Sequence, residues 1–261
     1  IMTQGQAAGL PIPRPILARD KEALRTIEGR PACLIEFLNG VSVSSPSTAQ
    51  ARAAGSLLAR FHLALSETKL ARDDTLMLEG WDRLGTACAE KDETYPEREL
   101  VDSERVAQRN FWSAADTQQL PHGIIHADLF PDNVLFTGDE VTGMIDFYFA
   151  ATGAFVYDIA VMINSWAMVE GGDSVMMRKP IADALLAGYA GERPLTDAEE
   201  TALPMMLRAA ALRFLLTRRF DALHPATDAL VKPKDPKPFA DRLRFFRLMD
   251  NAAVFQKAVR T

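Results

Sequence analysis

The spacing of apolar and polar positions changes period three times along the chain. Near the start, short runs predict strands from Pro15 to Arg19 and from Leu24 to Ile27, turning around Asp20-Lys21. A buried strand is expected from Ala32 to Phe37. From Thr48 the period becomes helical. Ala54, Leu57, Leu58, Phe61, Leu63 and Leu65 suit a helix of about four turns, with Ser47-Thr48 as its cap. His62 in that run reads as a core or capping histidine. The segment from Ala71 to Gln119 is charged and helical in character, with Trp81 and Trp112 as core anchors. Strand character returns between Ile124 and Ile145. There, Val134-Leu135-Phe136 and Val141 to Ile145 flank Thr137-Gly138-Asp139-Glu140, the signature of a tight hairpin. A further helix is expected to begin at Ile159-Ala160-Val161. Asp158 is its N-cap and a brace beneath the preceding loop.

Composition narrows the class without naming it. The 261 residues allow one or two domains, and 48% hydrophobic with 25% charged residues is ordinary globular usage. A net charge of -6 and a pI near 5.3 argue against a nucleic-acid or anionic-membrane partner. Cys33 and Cys88 stand far apart, away from metal-ligand spacing, and read as packing residues in a reducing compartment. No apolar run reaches the length of about eighteen residues that a membrane span needs, and no secretory leader pattern opens the chain. A soluble, cytoplasmic protein is expected. Nothing in the pattern bears on oligomeric state.

Chemistry concentrates in the run His126-Ala127-Asp128-Leu129-Phe130-Pro131-Asp132-Asn133, followed by Asp146-Phe147-Tyr148. The spacing H-x-D-L-x-x-x-N followed by D-F is that of a kinase catalytic loop and its metal aspartate. Asp128 takes the position of the group that accepts the proton of the attacking hydroxyl, and His126 that of the loop-orienting histidine. Asn133 and Asp146 take the positions of the metal ligands. Three polar residues at these offsets in an otherwise apolar stretch need a reason to be there, and the hairpin would bring Asp146 back to Asn133.

Upstream, Glu36-Phe37-Leu38-Asn39-Gly40 leaves the last early strand and ends in a glycine, as a hinge between two lobes would. Glu36, Leu38, Leu135 and Ile145 are the candidate nucleotide contacts. Residues 1–39 would be the remainder of a nucleotide lobe and 40–261 a helical catalytic and substrate lobe. Only Phe147 to Tyr157 lie between Asp146 and Asp158, so there is no room for the long activation segment that docks a polypeptide. The acceptor should be a small molecule.

The blocks Gly9 to Ile16, Gly29 to Ala32, His122 to Phe136, Ile145 to Ala150, Tyr157 to Ala160, Ala209 to Arg218 and Lys232 to Pro236 resemble the aminoglycoside phosphotransferase and choline kinase superfamily. Within it, they are most similar to the protein-kinase-like homoserine kinases. The resemblance runs from about Gly9 to Phe246. It implies an α+β, protein-kinase-like two-lobe fold with a partial N-terminal β lobe and a mainly helical C-terminal lobe. It also implies ATP and Mg2+, and phosphorylation of homoserine to O-phosphohomoserine in threonine biosynthesis. Such an acceptor needs a base, a cation for its carboxylate and an acceptor for its ammonium. Arg213 and Arg218 are candidates for the carboxylate, and Tyr148, Asn164 and Trp166 for lining the pocket. Two other readings stay open: a related kinase for an amino alcohol or aminoglycoside, and an inactive kinase-like binding module. A choline site would call for an aromatic cage and an aminoglycoside site for a strongly acidic cleft. Only 8% of residues are aromatic, and the late helices carry arginines. The phosphate-covering loop and strand lysine of the family are not recognisable in this chain. A protein starting at Ile1 is therefore expected to lack measurable kinase activity and to expose an apolar patch.

Overall fold

The computed structural model describes residues 1–171, 174–225 and 232–249. A short helix α1 (Met2–Ala7), unforeseen in the pattern, leads into strands β1 (Pro15–Ile16), β2 (Leu24–Ile27) and β3 (Arg30–Ile35). These form one antiparallel sheet in the order β1-β3-β2, with Ile16 opposite Leu34 and Leu24 opposite Cys33. The third strand is not buried as expected. Leu24, Ile27, Leu34 and Phe37 are 68%, 62%, 73% and 88% exposed, because no described element packs over them. Cys33 is exposed there too, so it is not a packing residue, whereas Cys88 is buried.

Helix α2 (Thr48–Ala64) begins at the expected cap. The Ser47 hydroxyl accepts the Gln50 N–H, and the Gln50 side chain accepts the Ser47 N–H, which satisfies two orphan donors reciprocally. Leu57, Leu58 and Phe61 face the core, while Leu63 is half exposed. Helices α3 (Leu78–Lys91) and α4 (Arg98–Trp112) fill the charged middle segment. Trp81 is a core anchor. Trp112 is only half-buried.

Strand β4 (His122–Ile125) pairs with β7 (Ala151–Ala154), and β5 (Val134–Thr137) with β6 (Glu140–Met144), both antiparallel. Gly138 and Asp139 form the two-residue hairpin turn between β5 and β6, with Gly138 at a φ of 64° that favours glycine. Helix α5 (Phe155–Met162) starts four residues earlier than expected. Asp158 thus lies inside its first turn and is not an N-cap. A π-helical turn (Ile163–Ala167) follows, then the hairpin β8 (Met168–Gly171) and β9 (Ser174–Met177).

Helices α6 (Lys179–Glu192), α7 (Asp197–Leu223) and α8 (Lys237–Leu248) complete the helical part. At the α2–α6 crossing, a β-carbon on Gly55 would stand 2.2 Å from the Leu185 carbonyl oxygen, and one on Gly188 2.0 Å from that of Arg52. The two backbones meet because neither position carries a side chain. Buried Leu212, Leu215 and Leu216 of α7 and the wholly buried α5 form the centre of the core, directly beneath the loop that follows β4. No described helix is long and apolar enough to cross a membrane.

Candidate active site

The loop after β4 is held from below by one carboxylate. Asp158, fully buried, accepts the backbone N–H of His126 at 2.7 Å, that of Ala127 at 2.6 Å and a His62 ring nitrogen at 3.0 Å. Burial alone would raise its pKa, yet these donors and the neighbouring histidines hold it below the usual carboxylate range. Its role as a brace is therefore met by direct bonds. The other His62 nitrogen meets the Tyr189 hydroxyl at 2.8 Å. Burial depresses the His62 pKa, so the ring is neutral. It donates through Nε2 to Asp158 and accepts from Tyr189.

Ala127 has a φ of 63° and Asp146 the same value, both in the left-handed region and neither a glycine. Such strain persists only where the surroundings impose it. At Ala127 they do: Asp158 takes its N–H, and Nη1 of the fully buried Arg213 donates to its carbonyl oxygen. Further along, Trp166 Nε1 donates to the Leu129 carbonyl at 2.9 Å. The Asn133 amide donates to the Asp128 carbonyl at 2.7 Å, leaving Asn133 Oδ1 without a protein donor among the described residues. The Ile145 N–H donates to the Asn133 carbonyl at 3.0 Å, which fixes the start of the Asp146 turn against the loop. His126 ties the same two segments together: Nε2 donates to the Ile145 carbonyl at 2.9 Å and Nδ1 accepts the Asp128 N–H at 3.3 Å. His126 is fully buried and does not line the cavity beside Asp128. Grouped with Asp128 as catalytic in the sequence, it acts here as a positioning residue.

Asp128, Asn133 and Asp146 converge on one cavity of about 290 Å³. Opposite them stands one face of α7, formed by Phe214, Thr217, Arg218 and Asp221 at helical spacing, together with Arg213, Lys234, Leu76, Phe149, Phe130 and Asp132. Burial pushes the Asp128 carboxyl up to about 6, with Arg213 pulling it down and Asp146 pushing it further up. A base in that range is mostly ionised at neutral pH and still accepts a proton readily. A larger cavity of about 520 Å³, lined by Asp74, Trp112 and Tyr157 among others, contains none of the three motif residues.

Three expected pocket residues lie elsewhere. The Tyr148 side chain is 71% exposed and absent from the cavity wall, because the Asp146 turn directs it outward. Asn164 is buried and donates to the Ala160 and Leu207 carbonyls, closing the π-helical turn onto α7. Trp166 packs edge-on against Phe136 and anchors the catalytic loop from within the core. Arg213 and Arg218 do line the cavity but are already engaged. Arg213 stacks over Phe149 and Phe214 in addition to its bond to Ala127, and Arg218 donates to the Asp235 carbonyl at 3.0 Å. Of the candidate nucleotide contacts, Leu38 and Leu135 both lie against Gly143 and form an apolar shelf. Ile145 contributes its backbone to the catalytic loop, and the Glu36 side chain accepts from Gln6. Lys234, Thr217 and Asp221 were not anticipated as site residues. The spacing of 214, 217, 218 and 221 on one helix face was the available signal for the latter two.

The donor set of Asp146 and Asn133, one carboxylate and one amide oxygen, is hard and oxygen-only, which suits a magnesium ion whose remaining ligands are phosphates and water. No group of three or more His, Cys, Asp or Glu side chains that could hold a metal occurs among the described residues.

Two carboxylates and an amide at the spacing of a kinase loop, facing one small cavity, are the arrangement of a phosphotransferase. Residues 1–196 match the phosphotransferase enzyme family, and the chain belongs to it. Relatives carry the comparison further. The chain is 42% identical over 241 residues to the homoserine kinase of Parvibaculum lavamentivorans, covering 92% of this chain and 73% of that protein. It is also 42% identical over 259 residues to the homoserine kinase of Methylobacterium nodulans, covering 98% and 78%. Two solved structures share the fold. A choline/ethanolamine kinase family protein from Mesorhizobium loti aligns with a TM-score of 0.66 at 16% identity, covering 99% of this chain and 82% of that one. Amicoumacin kinase hAmiN, in complex with AMP-PNP, Ca2+ and Ami, aligns at 0.64 and 17%, covering 98% and 75%. The protein-kinase-like α+β architecture expected from the sequence is the one found.

Proposed function

We infer that the protein transfers the terminal phosphoryl group of ATP to the hydroxyl of homoserine, giving ADP and O-phosphohomoserine, in the cytoplasm. The observation that carries this reading is the convergence of Asp128, Asn133 and Asp146 in one small cavity, in a chain 42% identical to homoserine kinases. The acceptor hydroxyl is placed beside the Asp128 carboxylate, which takes its proton as the oxygen forms a bond to phosphorus. The bond from phosphorus to the bridging oxygen of ADP breaks, and its electron pair leaves with ADP. Magnesium held by Asp146 and Asn133 would supply positive charge to the phosphates as that pair departs. Asp158, His126 and Arg213 keep the loop backbone rigid, so that little reorganisation is needed when the reactants meet. The adenine would lie between residues 1–39 and the larger lobe, on the shelf formed by Leu38 and Leu135.

The test is a coupled ADP-release assay on the natural protein with homoserine, choline, ethanolamine, serine and kanamycin as acceptors. Homoserine is expected to give the highest kcat/KM, with a requirement for magnesium. A higher value for choline, ethanolamine or kanamycin would replace the homoserine reading.

A further inference from the structure

Among the charged side chains that line the catalytic cavity, those of Lys234, Asp221, Asp132 and Asp128 make no hydrogen bond or ion pair among the described residues; Asp128 is the base and Asp132 adjoins Asn133 on the metal side, which leaves Lys234 and Asp221. Both are exposed toward the cleft rather than folded into a network. The cations that the sequence offered for an acidic acceptor group are spent differently. Arg213 supports Ala127 between two aromatic rings, and Arg218 holds the Asp235 carbonyl and lies over the Phe239 ring, 4.5 Å from its centroid. Lys234 is the one described cation of the cavity wall with neither an oxygen partner nor a ring beneath it. It lies close enough to Asp128 to oppose, together with Arg213, the upward push of burial on that carboxyl. Asp221 sits three residues beyond Arg218 on the same face of α7, and partial desolvation by the cavity wall holds its carboxyl above the usual range.

An unpartnered cation and an unpartnered anion in one cavity match a zwitterion. A phosphate group alone would use the lysine and leave Asp221 facing like charge. We propose that Lys234 and Asp221 determine acceptor specificity, with the Lys234 ammonium binding the α-carboxylate of homoserine and the Asp221 carboxylate binding its α-ammonium. The hydroxyl end of the acceptor is then left to Asp128. This assignment rests on the homoserine reading above.

The experiment compares kcat/KM in the natural protein for three acceptors: L-homoserine, 3-amino-1-propanol, which lacks the carboxylate, and 4-hydroxybutyrate, which lacks the ammonium. Wild type should prefer homoserine to both. Lys234→Ala should lose about ten- to a hundredfold on homoserine, as expected for a hydrogen-bonded ion pair, and little on 3-amino-1-propanol. Asp221→Asn should lose on homoserine and spare 4-hydroxybutyrate. KM for ATP should be unchanged in both variants, and since both side chains are exposed, neither change threatens the fold. If wild type uses homoserine but both variants keep its preference, or if Lys234→Ala raises KM for ATP instead, the pair is wrongly assigned while the function stands. A wild-type protein that ignores homoserine overturns the function and the pair together.

Discussion

Arg213 donates a hydrogen bond to the carbonyl oxygen of Ala127, the left-handed residue directly before Asp128. A side chain from α7 thereby fixes the backbone that carries Asp128. Arg213→Met keeps much of the apolar stem and removes the donor, leaving a buried carbonyl unpaired at a cost of about 1–3 kcal/mol. Urea denaturation should show that loss, and turnover should fall while magnesium-nucleotide affinity is retained. Wild-type stability in the variant would mean that the bond contributes nothing to holding the loop.

Of the two carboxylates on the loop, Asp128 and Asp132, it is Asp128 that takes the motif position of the proton acceptor and is assigned that role in the proposed reaction. Asp128→Asn is nearly isosteric and cannot take the proton. Turnover of the natural protein should drop by about two to four orders of magnitude, with nucleotide binding intact. An unchanged kcat would remove Asp128 from the chemistry.

In the proposed reaction Asp146 would provide the anionic oxygen to the metal, and Asn133 a neutral one. Asp146→Ala should abolish magnesium-dependent nucleotide binding, because a neutral amide alone holds a strongly hydrated dication poorly. Isothermal titration of magnesium and ATP into the variant decides the matter, and wild-type affinity there would place the metal elsewhere.

Stability should depend on pH through the buried histidines. Burial lowers the pKa of both His62 and His126 from the ordinary 6.5. Below that value the unfolded chain binds protons at these positions and the folded chain does not, so acid favours unfolding. The loss grows as pH falls from 6.5 toward the folded-state pKa values, by up to about 1.4 kcal/mol per pH unit for each ring. Asp158, whose pKa is also lowered, adds to the loss only as pH falls below its ordinary 3.8. Thermal unfolding between pH 8 and pH 5 should show Tm level at the alkaline end and declining below about 6.5. Asp128, raised to about 6, takes up a proton in the folded state below that value and so opposes the two rings; the decline should therefore be steeper in Asp128→Asn, and a flat profile in that variant would show that the two rings titrate alike in both states.

Local rules were enough for several features because they depend on neighbours in the chain. The Ser47 cap with Gln50, the Gly138-Asp139 hairpin and the offsets from His126 to Asp146 are fixed within a few bonds, and so were legible from the residues alone. The meeting of Asp128, Asn133 and Asp146 in one cavity could be read for the same reason: their spacing is a property of one continuous loop and hairpin. What the chain could not reveal by itself is which polar side chains face the cavity. Tyr148, Asn164 and Trp166 have suitable chemistry, but one points to solvent and two bond into the core. Arg213 faces the cavity but serves the backbone, while Lys234 reaches the same wall from a segment far along the chain. The close meeting of α2 and α6 at Gly55 and Gly188 is likewise invisible in either helix taken alone. Orientation and pairing of this kind are settled by long-range packing, where each polar group finds its partner on an element distant in sequence.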